Sequence, residues 1–176
     1  LSCAFRYSGT VECYKMDARM SLKLTSDEQI ARMRADLRMG VPVVICNGPE
    51  KWLVAAAETL SAERLAEFRG LGCTLELALT DLRAHSLKIF PDALDVVRLR
   101  IPRDVTIDWI RSLSDPADDL DNPLDGPFEQ IGGGCGDIHR AAIALAKQAR
   151  LLPSVVVLQV TSDLEGVTEG LHCTDI

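Results

Sequence analysis

The segment from Gly132 to Val160 constrains this chain more than any other. A glycine-rich turn, Gly132-Gly133-Gly134-Cys135-Gly136-Asp137, runs into an alanine-rich helical pattern from Ile138 to Arg150. Pro153 stops that helix, and Ser154-Val155-Val156-Val157-Leu158-Gln159-Val160 then reads as a buried strand. A helix start leaves backbone N–H groups without partners, and the helix dipole adds about half a positive charge there. The turn therefore suits an anion, and Cys135, Gly136, Asp137, His139 and Arg140 are the candidate phosphate-binding residues. Polar residues in a first helical turn are also commonplace, so the scaffold alone does not make a site.

A chain of 176 residues, 47% hydrophobic, is long enough to bury a full core and is most simply one domain. With 19 basic and 26 acidic residues the net charge is −7, which argues against a nucleic-acid surface. No apolar run approaches the roughly 20 residues of a membrane span, and the start has no signal-peptide core. A cytoplasmic location is expected.

Six cysteines, Cys3, Cys13, Cys46, Cys73, Cys135 and Cys173, are scattered without a C-x-x-C pair, and His85, His139 and His172 stand far apart. Zinc usually wants paired spacing, so neither a metal site nor a disulfide is expected from this set. Cys46 and Cys73 lie beside apolar runs and read as buried thiols of a reduced cytosolic protein. Cys135, at a helix N-terminus, would have a lowered pKa. Its only nearby base is His139, one turn on, and a plain small-residue role is the simpler reading.

Residues 1–24 show no clear period and read as a leader or loosely docked arm. Thr25-Ser26-Asp27-Glu28 gives an N-cap signal for a helix to about Met39, with Ile30, Met33 and Leu37 on one face and Gly40 ending it. Val41 to Cys46 reads as a strand and Asn47-Gly48-Pro49 as a tight turn. Leu53 to Glu58 fits the second strand of a hairpin, and its alanines fit a helix start equally well.

Ser61-Ala62-Glu63 opens a helix with Leu65 and Phe68 inward, closed by Gly70-Leu71-Gly72. Cys73 to Leu79 reads as a strand, and Thr80-Asp81 caps a short helix through Leu87. Asp95 to Ile101 alternates like a half-exposed strand, and Thr106 to Leu113 is a helix stopped by Ser114-Asp115-Pro116. The acidic stretch Asp115 to Asp125, with Asp118, Asp119 and Asp121, reads as a solvated turn in preference to a cation site. After Val160 the pattern weakens, so 161–176 is expected to be a disordered end or the approach to a further domain. The predicted fold class is α+β, in α/β/α layers: a mixed sheet flanked by helices, occupying residues 25–160.

The order of these elements, with several motifs, resembles the 3,4-dihydroxy-2-butanone 4-phosphate synthase family of riboflavin biosynthesis. The matching pieces are Leu37-Arg38-Met39-Gly40 before the first strand, Ala57-Glu58-Thr59 before a helix, and Leu77-Ala78-Leu79-Thr80 with Arg83. Trp109-Ile110-Arg111-Ser112-Leu113-Ser114-Asp115-Pro116 is similar to the family's T-I-R-A-L-A-D-P. Ala141 to Ala146, Leu152-Pro153 and the strand to Val160 resemble its last helix and strand. The resemblance runs from about Ile30 to Val160 and implies a homodimeric, magnesium-dependent lyase acting on ribulose 5-phosphate.

The residues that the family uses for this chemistry are altered. Its acidic loop D-D-E-D-R-E-x-E-G-D is shortened to Asn47-Gly48-Pro49-Glu50-Lys51-Trp52. Its P-G-H-x-F-P falls on Pro123-Leu124-Asp125-Gly126-Pro127, with the histidine at Asp125. Its R-x-G-H-T-E falls on Cys135 to Arg140, with the metal-binding histidine at Ile138, and the glutamate of its last strand falls on Gln159. An amide is no base at neutral pH and isoleucine is no ligand. The resemblance thus implies a degenerate synthase with no cofactor and no catalytic residue retained.

Val54-Ala55-Ala56-Ala57-Glu58 and Leu151-Leu152-Pro153 are also similar to the synthase-like domain in front of some bacterial GTP cyclohydrolase II proteins. The zinc-site spacing of the cyclohydrolase itself is absent from this sequence. A chain cut from a longer protein fits, and so does a free-standing paralogue. Two functions are expected from this: a non-catalytic structural or dimerisation domain, partnered by itself and a cyclohydrolase domain, or a phosphosugar-binding lyase of altered chemistry.

Overall fold

The computed structural model describes residues 24–89, 95–119, 126–133, 136–161 and 166–175. The expectations for the leader, Asp121, Asp125, Gly134 and Cys135 fall outside these residues. In chain order the elements are α1 (Ser26–Arg38), β1 (Val43–Asn47), β2 (Glu50–Ala56), α2 (Ala62–Gly70), β3 (Glu76–Thr80) and α3 (Asp81–Ser86). Then follow β4 (Val96–Arg100), α4 (Ile107–Ser114), α5 (Asp137–Gln148), β5 (Ser154–Val160) and β6 (Cys173–Asp175).

The strands form one mixed sheet in the order β4-β3-β5-β2-β1-β6, in which every neighbouring pair is antiparallel except β1 with β6. The alternation of each strand divides the core in two. Val44, Leu53, Leu77, Leu99 and Leu158 face α2, α3 and α4, through Leu65, Phe68, Ala84, Ile110 and Leu113. Val43, Ile45, Val54, Ala78, Val155 and Val157 face α1 and α5, through Met33, Leu37, Ile138, Ala142 and Ala146. Each large apolar side chain removed from water this way contributes about 1.5–3 kcal/mol. The result is the α/β/α arrangement expected, with β5 central and buried apart from Gln159.

Local chemistry fixes the element ends. Thr25 and Glu28 make the capping box: Glu28 N donates to Thr25 Oγ1 at 3.3 Å, and Thr25 N donates to Glu28 Oε2 at 2.8 Å. That backbone hydrogen bond from Thr25 lowers the Glu28 pKa. At the other end of α1, Gly40 takes φ +75, and a Cβ there would meet the Thr59 carbonyl oxygen at 2.6 Å. Only glycine allows so close a crossing. Gly48 (φ +57) followed by Pro49 makes a two-residue hairpin turn between the paired Asn47 and Glu50. The open choice at Leu53 to Glu58 resolves to strand, because β2 lies between β1 and β5 and its alanines are buried on both faces.

Two expectations are corrected. The sheet does not end at Val160: Cys173–Asp175 pairs parallel with β1, Val44 N donates to His172 O at 2.9 Å, and His172 Nδ1 lies 2.5 Å from Asp36 Oδ2. The acidic stretch is also more than a solvated turn. Pro116–Asp119 forms a 3-10 turn, and Asp119 takes both arms of the Arg83 guanidinium at 2.7 Å. The far edge of the sheet is covered too, since Arg100 N donates to Glu129 O and Ile131 N to Arg98 O, both at 2.8 Å.

Arg83 is buried and fully used. Besides Asp119, its Nε donates to Leu113 O at 2.8 Å, and its Nη2 to Ser112 O at 2.9 Å and Asp115 O at 3.2 Å. It ties the end of α4 to α3. The Arg83 hydrogen bonds hold the Asp119 carboxyl below its usual range. A depressed carboxyl contributes stability above its unfolded pKa, near 4, and loses it as pH falls through the folded value. Arg83→Ala should cost about 2–4 kcal/mol by chemical denaturation, because it empties a buried site and leaves three carbonyls without their donor, while the partly exposed Asp119 returns to water. Arg83→Lys should recover little, since an ammonium cannot reproduce the fork. The gap between wild type and Asp119→Asn should narrow as pH drops from 5 to below the depressed value.

Candidate functional site

α5 starts at Asp137 with Gly136 as its N-cap, and the described side chains there turn largely to one another. Arg140, in the first turn, donates through Nη1 to Asp95 Oδ2 at 3.0 Å and through Nη2 to Asp137 Oδ1. The bond from Asp137 first, then that from Asp95, raises the Arg140 pKa. Its cation is thus shared between two carboxylates of the same surface.

His139 is buried, with about 1% of its surface exposed, and points toward the sheet. Its Nε2 lies 2.9 Å from Glu76 Oε2, at the start of β3, and its ring meets Trp52 edge-on with centroids 5.6 Å apart. Its Nδ1 is buried without a partner among the described residues. Arg98 Nη1 stands 4.0 Å from the same Glu76 oxygen, while Arg98 Nη2 donates to the carbonyl of Gly133. One polar line therefore runs from the glycine turn through Arg98 and Glu76 to His139, ending on the Trp52 ring.

Pleat and register explain why these groups meet. Glu76 lies on the same face of β3 as Ala78, and Trp52 on the same face of β2 as Val54 and Ala56, the face that α5 covers. Gln159 lies opposite Trp52 in the β2–β5 register and is exposed. Glu76 and Arg98 were not singled out from sequence, because a charged residue at a strand end reads as a solvent position. The available signal was Arg98 and Arg100 alternating with Val97 and Leu99. Ile138, aligned with the family's metal-binding histidine, packs in the apolar cluster with Ala142 and Val157. The neighbouring His139 is the residue that faces the polar line.

The first strands of the sheet close this end. The hairpin is tighter than the shortened loop read from the sequence, because Glu50, Lys51 and Trp52 are already in β2. Glu50 Oε2 accepts from Trp52 Nε1 at 3.4 Å. Among the described residues no group of three or more His, Cys, Asp or Glu side chains is placed to hold a metal ion. No helix among them is long and apolar enough to cross a membrane.

This architecture has solved counterparts. A two-domain 3,4-dihydroxy-2-butanone 4-phosphate synthase from A. baumannii superimposes with a TM-score of 0.61 at 20% identity, covering 83% of this chain and 55% of that one. The fold is that of the 3,4-dihydroxy-2-butanone 4-phosphate synthases. The Candida albicans synthase matches with a TM-score of 0.56 at 19% identity, over 83% of this chain and 92% of that one. By sequence, the chain is 30% identical over 146 residues to the GTP cyclohydrolase-2 of Azospirillum brasilense, which covers 80% of this chain. It spans only 37% of that curated relative. No protein-family model matches.

The His139–Glu76 pair gives this region a direct test. His139→Ala should destabilise the fold by about 3–5 kcal/mol in urea titration, as truncation of a buried ring with a carboxylate partner does. Glu76→Gln, which keeps a hydrogen-bonding oxygen, should cost clearly less. An unchanged midpoint for His139→Ala would mean that the ring is not part of the core.

Proposed function

We propose that this chain is a synthase-fold domain that has lost proton-transfer chemistry and serves as a structural, dimer-forming domain of a cytoplasmic GTP cyclohydrolase II-type protein of riboflavin biosynthesis. The observation that carries this reading is the β1–β2 hairpin. Where the resembled family has a long acidic loop, this chain turns on Gly48-Pro49 alone, and the paired Asn47 and Glu50 leave no length for a carboxylate-bearing loop. The likeness to the Azospirillum brasilense GTP cyclohydrolase-2 supports the assignment to that kind of protein.

Magnesium does not fit the described residues at the aligned positions. Gln159 offers a neutral amide, Ile138 offers no donor and lies in the apolar core, and Glu50 is left as a single exposed carboxylate. Divalent magnesium is held by carboxylates and water at short, near-octahedral distances, which this set cannot supply.

A phosphosugar lyase of altered chemistry is less well supported. Its phosphate would have to displace Asp137 and Asp95 from Arg140, and its base would have to be His139, which is almost wholly buried. Loss of catalysis leaves the core and contact surfaces under selection, because exposing apolar area stays costly.

The purified chain should not convert ribulose 5-phosphate to the butanone phosphate, with or without magnesium. Losing one positioned base costs a factor of about a hundred to ten thousand, and here base and ligands are lost together. Gln159→Glu alone should not restore turnover. Activity that disappears in His139→Asn would replace this reading with the lyase. Light scattering at micromolar concentration should give the mass of a dimer, and a monomer would count against the assembly role.

A further inference from the structure

We propose that Cys46 and Cys173 form a reversible disulfide that fastens β6 to β1. The two sulfurs lie 2.8 Å apart across 127 positions of sequence. Cys46 is buried in β1, whereas Cys173 opens β6 and is exposed. An S–S bond of about 2.05 Å requires closing that gap by less than an ångström, a movement that a three-residue edge strand accommodates. The parallel register of Val44 with Cys173 and of Cys46 with Asp175 already holds the two backbones side by side.

The chemistry needs an oxidant, and a low-molecular-weight disulfide supplies it with balanced electrons. The Cys173 sulfur attacks one sulfur of R–S–S–R, forming a mixed disulfide and releasing one R–S⁻, which takes up the proton that Cys173 gave up. The Cys46 sulfur then attacks Cys173 Sγ and expels the second thiol. The protein dithiol is oxidised by two electrons and the small disulfide is reduced to two thiols. Burial first, and then the Cys46 thiol, push the Cys173 pKa up to about 12, so thiolate is scarce at neutral pH and exchange is slow. The reverse reaction with excess small thiol releases the strand. In the reduced state β6 keeps its short backbone pairing and the His172–Asp36 contact.

The test is incubation of the purified chain with oxidised glutathione, blocking of free thiols, and peptide mapping by mass spectrometry. The expected result is a Cys46–Cys173 linked peptide, reversed by dithiothreitol, and a Tm higher by about 10 °C in the oxidised form, as a cross-link closing so long a loop predicts. Cys173→Ser and Cys46→Ala should each abolish both the link and the Tm difference. Cys173→Ser alters only an exposed position, so it remains informative if Cys46→Ala folds poorly. A persistent glutathione adduct on Cys173 beside an alkylatable Cys46 would overturn the proposal. So would a dominant link to Cys3, Cys13, Cys73 or Cys135, or no oxidation at either residue.

Discussion

A strand that is apolar on both faces has to be covered twice, and most of this chain is arranged to cover Ser154–Val160. Val156, Leu158 and Val160 look to one side and Val155 and Val157 to the other, so neither helix layer is dispensable. β2 and β3 flank this strand and satisfy its backbone on both edges. Even a polar detail of the core is anchored there: Ser154 Oγ lies 2.7 Å from Ser114 Oγ at the end of α4. The single departure, Gln159, falls at the end of the strand and on the face where the polar line of α5 and the sheet ends.

That face illustrates how a helix start behaves when the surrounding charges belong to the protein itself. Free N–H groups and a positive dipole end attract carboxylates as readily as phosphates. Asp137 and Asp95 share Arg140, and Glu76 reaches His139 from beneath. Each contact is ordinary alone. Together they stabilise the α5–sheet junction and leave the first-turn side chains already engaged.

The elements that were legible in the sequence are those with a cap and a period. Thr25 with Glu28, Ser61 and Thr80 each mark a helix start, and in each the hydroxyl accepts from the residue three ahead. The two-residue turn at Gly48-Pro49 followed from the same local chemistry. β6 was not legible, because three residues carry no periodicity and its pairing is set by a partner far back in the chain. The role of Asp119 was hidden for a related reason: among neighbouring aspartates, only the approach of Arg83 from α3 distinguishes it. His139 was seen as a surface candidate because its neighbours Asp137 and Arg140 are polar. Its burial depends on the helix rotating that position toward β3, about one hundred degrees from each adjacent residue.

The two borders of the sheet have a bearing on how copies of such a molecule meet. On one side β4 already receives hydrogen bonds to and from the Glu129–Ile131 segment, and on the other β6 presents only three residues. Among the described residues neither border leaves a long row of free amides and carbonyls for a neighbour to zip onto. Strand addition, the common route to fibrils and to runaway oligomers, thus finds only short stretches of backbone at the described borders.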